Sequence, residues 1–272
     1  MHTEASDNLA YLVFDTESVP DGKLLAKVKY AEDQPPPEDA VTRAQAEARE
    51  RSLSGSDFLP VSFQVPVAAC VLRVAGDFSL QALTCLDAPQ FRPRKIVEAF
   101  WSGLASYRAK FKDRIKLISF NGRGFDLPLL ELAAFRYGCT ARDHFANGRR
   151  RYEGSHLDLM DWLTNYGAFR LVGGLNLLSK VLGNPGKMTI QGHQVYEMFQ
   201  AGKIQEINDY CMFDTLDTYF VFLRTRVLAG ELTLEQEHIA VLKAKEWLQG
   251  KVSESAGLKQ YLDNWGDWDP WP

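Results

Sequence analysis

The sequence has few cysteines and few histidines, and neither residue type is arranged as a site. The four cysteines, Cys70, Cys85, Cys139 and Cys211, are far apart in the chain and form no Cys-x-x-Cys pair. This spacing fits neither a zinc site nor a disulfide framework, and it favours a reducing cytoplasm. A metal-dependent phosphatase of another fold would need histidine or further carboxylate clusters, and the sequence has neither.

Long apolar runs and an excess of positive charge are also missing. No apolar stretch is long enough to cross a bilayer, and the polar, acidic start Met1–Ala10 lacks the features of a secretory signal. We therefore expect a soluble cytoplasmic protein without membrane contact. The formal net charge of -4 excludes binding of nucleic acid through overall basic charge. Any contact with phosphates must be local or metal-mediated.

Strand patterns dominate the first half of the chain and helical patterns the second. The apolar run Leu9–Phe14 predicts a strand buried on both faces, and Ile115–Phe120 predicts another. The β-rich runs Val65–Val74 and Phe78–Leu86 flank a turn at residues 75–77, which predicts an antiparallel hairpin. Helical repeats are found at Pro93–Phe111, Leu127–Tyr137, Leu157–Tyr166, Leu175–Leu182, Val195–Phe199 and about Ile204–Val227. This order favours an α/β fold, a mixed sheet flanked by helices.

The length of 272 residues permits one large domain or two small ones, and we favour one catalytic domain with appendages. The predicted main domain spans residues 1–230. Within it, residues 31–60 form a Pro-rich insertion that predicts a mobile excursion or a solvated helix. Residues 231–272 are expected to form a helical extension whose Trp-rich tail (Trp265, Trp268, Trp271) packs back on the domain.

Acidic residues stand at two of the predicted element ends. Asp15 and Glu17 are two apart at the end of the first strand, so both carboxylates point to one face; alternatively they are only a polar strand exit. Asp126 stands where a helix begins, and a helix cap is the structural alternative for it. That alternative does not explain the asparagine and two glycines of the preceding turn, residues 121–124, which are typical of backbone passing close to a ligand.

A third acidic position belongs to the long late helix. Tyr210 and Asp214 are four apart and therefore share a helix face; a surface Asp beside a packing Tyr is the alternative. Together the four carboxylates predict phosphodiester hydrolysis with two divalent ions, because Mg²⁺ and Mn²⁺ prefer carboxylate oxygens. A Tyr phenol, with an ordinary pKa of ~10, is a poor general base but can orient the attacking water.

Three motifs resemble the DnaQ-like exonucleases of the DEDD superfamily, in the branch that is similar to the proofreading domain of family-B DNA polymerases. The motifs are Val13–Glu17 with Val19–Asp21, Ser119–Pro128, and Tyr210–Asp214 with Thr218. Each is weak alone, but all three occur in the family's order on a strand end, a helix start and a late helix. The resemblance spans about Tyr11 to Arg224, most of the chain.

The resemblance implies a ribonuclease-H-like fold, with a mixed five-stranded sheet containing one antiparallel strand. It implies that Asp15, Glu17 and Asp214 hold one divalent cation, Mg²⁺ or Mn²⁺, that Asp15 bridges to a second, and that Asp126 supports the second through water. The chain is similar to the tyrosine subtype, because Asp209 stands where the histidine subtype has His.

The implied activity is a 3′-5′ exonuclease that removes nucleoside monophosphates from single-stranded DNA or RNA with a free 3′ end. DNA is favoured, and a role in DNA repair is expected. Substrate contacts are predicted at Thr16, Asn121, Phe125 and Leu127, although the last two could equally be core residues. We expect a stand-alone nuclease with no polymerase domain in the same chain.

Basic residues could add a phosphate-binding surface in two places, Arg142 with Arg149–Arg151 and Arg92–Lys95, although such runs are usually solvated. Asp158 also lies in a stretch similar to the family, but we expect it to cap a helix. Lys187 could meet a phosphate, with a solvated loop residue as the alternative. Two other functions stay open: a binding protein of the same fold without turnover, and a 3′-5′ exoribonuclease.

Overall fold

The computed structural model describes residues 8–53, 55–111, 114–149, 154–188 and 192–266. Five strands form one sheet in the order β3-β2-β1-β4-β5. The strands are β1 (Leu9–Pro20), β2 (Gln64–Ala75), β3 (Leu80–Cys85), β4 (Lys116–Ser119) and β5 (His156–Asp158). β1 pairs antiparallel with β2 and parallel with β4, while β2 pairs antiparallel with β3 and β4 pairs parallel with β5. Strand β2 therefore runs against the other four, which confirms the predicted sheet.

Helices cover both faces of this sheet. They are α1 (Gly22–Val28), α2 (Pro37–Arg51), α3 (Pro93–Phe111), α4 (Asp126–Tyr137), α5 (Leu159–Leu163), α6 (Gly174–Val181), α7 (Val195–Gln200), α8 (Ile204–Leu228), α9 (Leu234–Gln249) and α10 (Ala256–Asp263). Because side chains of a strand alternate, Leu12 and Phe14 of β1 pack with α3 and α4, whereas Val13 packs with α8. The same alternation directs Asp15 and Glu17 toward α8.

No helix within the described ranges combines the length and the apolar character that a bilayer crossing needs.

Two predicted elements differ from the structure. The helix expected at Leu157–Tyr166 begins only at Leu159, because His156–Asp158 pairs with β4 and forms the fifth strand. The expected excursion contains α2, one face of which packs on α1 through an apolar cluster that includes Leu25, Val41 and Ala44. Of the two alternatives, a mobile excursion and a solvated helix, the helix describes this segment better, although one side of α2 is buried.

The C-terminal helices pack on α8. Trp265 lies with its ring centroid 4.8 Å from that of Phe220 and 5.6 Å from that of Tyr261, so this part of the tail packs back as predicted. Trp268 and Trp271 lie outside the described residues.

A buried polar contact joins the extension to the domain. The Tyr261 hydroxyl of α10 donates a hydrogen bond of 2.6 Å to Asp217 of α8, and the two residues are 0% and 1% exposed. Burial raises the pKa of Asp217 to about 7, while the hydrogen bond from Tyr261 acts in the opposite direction. The phenol thus stabilises a carboxylate that would otherwise be poorly solvated.

Replacing Tyr261 by Phe should lower the free energy of unfolding by about 1–3 kcal/mol, because a buried carboxylate loses its hydrogen-bond donor. Since that bond stabilises the charged form, the loss should grow as the pH rises through about 7, the pKa of Asp217. Urea denaturation at pH 5.5 and pH 8 measures it. Tyr219→Phe is the matched control, because the Tyr219 hydroxyl donates to the neutral carbonyl of Phe78 at 2.8 Å. If Tyr261→Phe and Tyr219→Phe lowered the free energy of unfolding equally at pH 8, the prediction would be wrong.

Candidate active site

Three acidic side chains predicted from separate motifs lie together. One carboxylate oxygen from each of Asp15, Glu17 and Asp214 falls within 4.8 Å of the others. The cause is local: alternation on β1 directs the first two toward α8, and α8 packs against this strand. A hydrogen bond of 3.3 Å from the Cys211 thiol to the backbone oxygen of Asp15 links the two elements.

Asp126 stands at the start of α4 and is fixed by β1. Its Oδ1 accepts hydrogen bonds from the backbone N–H of Thr16 at 2.9 Å and from the Thr16 hydroxyl at 2.6 Å. Thr16 lies between Asp15 and Glu17, so this double contact ties the second motif to the first. Thr16 was predicted as a substrate contact. In the structure it is buried, and its hydroxyl donates to Asp126.

The turn before α4 approaches Asp126 closely. A Cβ atom added at Gly122 would lie 2.2 Å from the Ser119 hydroxyl and 3.3 Å from Oδ2 of Asp126, so a larger residue would not fit there. Asn121 has a positive φ of 63°. Its backbone N–H and that of Arg123 donate to Asp158 at 2.9 and 2.8 Å.

Asp158 has two structural roles, of which one was predicted. It caps α5 by accepting from the backbone N–H of Met160 at 3.0 Å, as expected. It also holds the turn that carries Asp126, a contact that joins residues more than thirty positions apart and that no local sequence pattern indicates. Asp158 therefore supports the site without belonging to the acidic group.

The two apolar residues that flank Asp126 are placed differently. Leu127 is buried in the core between α3 and α4, which leaves little of its side chain for a substrate. Phe125 is half-buried, and its ring centroid lies 5.4 Å from that of Phe58, which follows α2. Of the two, Phe125 has the surface that a base could contact.

Tyr210 lies one helical turn before Asp214 and is buried. Burial, followed by the nearby charge of Asp214, raises the pKa of the Tyr210 phenol. The phenol hydrogen-bonds Asp214, where it lowers the carboxyl pKa. Asp209, at the position that is His in the other subtype, accepts a hydrogen bond from Gln205 at 3.0 Å and lies close to Gly257 of α10.

Burial and mutual repulsion raise the pKa of every acidic residue of the site. Burial is the main cause that raises the pKa of Asp15 and of Glu17 well above the ordinary range, and neighbouring acidic groups add to it. The pKa of Asp214 rises to about 6 and that of Asp126 to about 7, also through burial. Each of these shifts is what a bound cation would reverse.

The residues present fit a divalent ion. The donors are carboxylate oxygens, the ligands that hard cations such as Mg²⁺ and Mn²⁺ prefer. Among the described residues, Oδ2 of Asp15 is a buried oxygen without a hydrogen-bond partner, and buried carboxylates are normally satisfied by a partner or a metal. The group Asp15, Glu17 and Asp214 could therefore bind a metal.

Lys187 places a positive charge beside this group. It lowers the pKa of Glu17 and of Asp214, and its Nζ lies 6.0 Å from the ring centroid of Tyr210. The backbone N–H of Lys187 donates to Asn176 of α6 at 2.8 Å, so its loop is held in place. Lys187 is itself exposed, so a solvated loop lysine and a phosphate contact both stay open.

The two basic runs are largely paired within the protein. Arg92 pairs with Asp87, and Arg94 and Lys95 both pair with Glu98. Arg149 pairs with Glu131, while Arg150 and Arg151 lie outside the described residues. A phosphate-binding role for these runs stays a prediction.

Three cysteines that are distant in sequence meet behind the acidic group. The sulfurs of Cys70 and Cys85, on β2 and β3, lie 2.8 Å apart, and Cys211 is adjacent. Burial raises the pKa of Cys70 and of Cys211, so both stay protonated and pack as small apolar residues. Sequence spacing gave no sign of this proximity.

The sheet order, the reversed strand β2 and the acidic residues on β1, on α8 and at the start of α4 define a ribonuclease-H-like exonuclease fold. The chain belongs to a family of predicted 3′-5′ exonucleases related to the exonuclease domain of PolB, whose model matches residues 56–265. This confirms the predicted resemblance and supports nuclease activity and a nucleic acid substrate in general. The matched stretch includes Asp126, Tyr210 and Asp214, whereas Asp15 and Glu17 precede it. No curated protein matches the chain.

Proposed function

We propose that this protein is a metal-dependent 3′-5′ exonuclease that removes nucleoside monophosphates from single-stranded nucleic acid, preferably DNA. The observation that carries the proposal is the convergence of Asp15, Glu17 and Asp214 within 4.8 Å of one another, with Asp126 fixed alongside by Thr16. Family membership supports the reaction class. The preference for DNA rests on the family's relation to a DNA polymerase domain.

Each acidic residue has a distinct position in this proposal. Asp15, Glu17 and Asp214 would hold one Mg²⁺ or Mn²⁺ ion, Asp15 would also reach a second, and Asp126 would support the second. Bound divalent ions supply stabilisation of the attacking and leaving oxygens in phosphodiester hydrolysis. The carboxylates themselves bind and orient, and because they are only partly exposed, bulk water weakens these contacts less than at an open surface.

Tyr210 and Lys187 would act on the substrate side. The raised pKa of Tyr210 keeps its phenol protonated, so it orients the attacking water by hydrogen bonding and removes no proton. Lys187 can contact a phosphate oxygen as a point charge. Phe125, with its partly exposed ring, is the candidate for stacking on a base.

We further propose that residues 1–230 form the exonuclease domain, with the insertion at 31–60, and that 231–272 are an extension that stabilises it. The contact between Tyr261 and Asp217 supports an integral extension. We place the protein in the cytoplasm, with DNA repair as its process.

The test is digestion of 5′-labelled single-stranded DNA and RNA of the same sequence with Mg²⁺, with Mn²⁺ and with EDTA. The expected result is a ladder that shortens from the 3′ end in metal and is absent in EDTA, with DNA degraded faster. Faster digestion of RNA would instead assign an exoribonuclease. Binding of either strand without any ladder in both metals would contradict turnover and favour a binding protein.

A further inference from the structure

A largely exposed apolar stripe begins at the residue before Asp126 and follows α4. Its members are Phe58, Phe125, Leu132 and Phe135, and we call this set the α4 stripe. Phe58, Leu132 and Phe135 are 53%, 45% and 90% exposed. Exposed apolar side chains are ordinary when scattered, but a contiguous row marks an interaction surface.

Helix geometry makes the row contiguous. Residues three or four apart share a helix face, so Leu132 and Phe135 lie on one side of α4 with Pro128, and Phe125 immediately precedes the helix. The opposite face is buried in the core, with Leu130 0% exposed. At a rise of 1.5 Å per residue, the stripe extends about 14 Å from Asp126, more than one nucleotide of an extended strand.

The insertion completes the near end of the stripe. Phe58 follows α2, and its ring contacts that of Phe125 with centroids 5.4 Å apart. Phe125 immediately precedes Asp126, whose carboxylate is bound to Thr16. The near end of the stripe is therefore one residue from Asp126 in the chain.

Two exposed lysines lie on α1, the helix whose capping residue contacts the far end of α4. Arg136 of α4 pairs with Asp21, the residue that caps α1. This contact brings the start of α1 next to the end of α4, and Lys23 and Lys27 are exposed one turn apart on α1. Aromatic rings beside cations match single-stranded nucleic acid, because bases stack on the rings while phosphates meet the cations.

We propose that the α4 stripe binds the unpaired bases on the 5′ side of the nucleotide being removed, so that the strand runs from Asp126 toward Phe135. This inference rests on the proposed exonuclease function and adds a base-stacking track to it. Such stacking discriminates little between bases, so the track favours single strands over duplex without reading sequence. A second copy of the chain is the competing occupant of an exposed apolar row.

The test compares Leu132→Ser and Phe135→Ala with a matched control, Leu234→Ser. Leu132 and Leu234 are 45% and 46% exposed on helices, but Leu234 lies on α9, outside the stripe. Two substrates are used: a 15-mer of deoxythymidylate, long enough to cover the stripe, and the p-nitrophenyl ester of thymidine 5′-monophosphate, which reaches only the acidic group. Loss of base stacking usually lowers affinity by about 5-fold or more per base.

The expected result is a KM for the 15-mer raised by about 5-fold or more in both stripe variants, with kcat unchanged. Hydrolysis of the nucleotide ester should not change, and Leu234→Ser should behave as wild type. Unchanged KM for the 15-mer would overturn the track. So would a wild-type dimer in sedimentation that Phe135→Ala converts to monomer, because the stripe would then be an interface between copies.

Binding separates this inference from the proposed function. In the Asp15→Asn background, where turnover should be about 1000-fold slower or more, fluorescence anisotropy measures the affinity for the labelled 15-mer with and without Phe135→Ala. If the wild type hydrolyses neither substrate while Phe135→Ala weakens binding of the 15-mer, the exonuclease proposal is wrong. The proposal that the α4 stripe binds single-stranded DNA is then still supported. If the wild type hydrolyses both and Phe135→Ala changes neither KM nor affinity, only the track fails.

Discussion

Replacing Asp15 by Asn should reduce exonuclease turnover by about 1000-fold or more, a loss of ~4 kcal/mol in transition-state stabilisation. Asp15 is the carboxylate that both proposed ions would share, and its Oδ2 is buried without a hydrogen-bond partner. An amide has the same size but no negative charge to offset a divalent cation. Single-turnover digestion of labelled single-stranded DNA in Mn²⁺ measures the effect.

The same substitution should have the opposite effect on stability when metal is absent. The pKa of Asp15 is raised in the folded protein by burial and by neighbouring acidic groups. A carboxyl group whose folded pKa exceeds its unfolded value favours folding least above the folded pKa, where it must be charged in a poor environment. In EDTA at pH 8, Asp15→Asn should therefore melt above the wild type, by about 2–4 °C for each ~1 kcal/mol relieved.

Metal should reverse this order. Ions that bind the folded state alone raise its melting temperature by mass action, and the wild type should gain more from Mn²⁺ than Asp15→Asn does. Asp209→Asn is the matched control, because it removes one negative charge from α8 at a carboxylate bonded to Gln205. A lower melting temperature for Asp15→Asn than for the wild type in EDTA would contradict this prediction. It would show that the Asp15 carboxylate stabilises the folded protein without a metal.

The elements that sequence predicted well are those with strong local periodicity. β1, the β2–β3 hairpin, α3 and α4 were predicted with ends within a few residues, except that β1 continues to Pro20. Gly138 ends α4 in the left-handed conformation that glycine favours after a helix. Local patterning suffices here because each segment buries one face or both along its whole length.

The missed elements depend on partners far away in the chain. β5 has three residues, too few for a period to be visible, and exists because β4 offers it a parallel edge. The packing of α1 on α2 and the bond from Tyr261 to Asp217 likewise join segments that carry no complementary local signal. Propensity cannot reveal a contact whose stabilisation is tertiary.

The candidate site shows the same division. Asp15, Glu17, Asp126, Tyr210 and Asp214 could be named from motif spacing, and the structure brings the carboxylates and the phenol to one place. What spacing could not give is the support around them. Asp158 holds the turn before α4, and Thr16, expected to meet substrate, instead holds Asp126. Residues that support a site are selected by three-dimensional fit, so they leave no fixed offset in the chain.

Replacing Tyr210 by Phe should lower kcat by about 10- to 100-fold while leaving KM nearly unchanged. The ring fills the same buried space, so packing is kept and only the hydroxyl is lost. The proposed role of that hydroxyl is to orient the attacking water, which matters in the transition state and little in substrate binding. Tyr219→Phe, which removes another buried hydroxyl on α8, should retain full turnover.

A metal titration distinguishes this role from that of a ligand. If Tyr210 orients water, Tyr210→Phe should keep the rise in melting temperature that Mn²⁺ gives the wild type, whereas Asp214→Asn should lose most of it. Since the raised pKa of the phenol keeps it protonated at working pH, the shape of the pH profile for kcat should be the same with and without it. If the wild-type pH profile for kcat had an alkaline limb that Tyr210→Phe lacks, the phenol would be titrating and accepting a proton. The proposed role as a neutral hydrogen-bonding group would then be wrong.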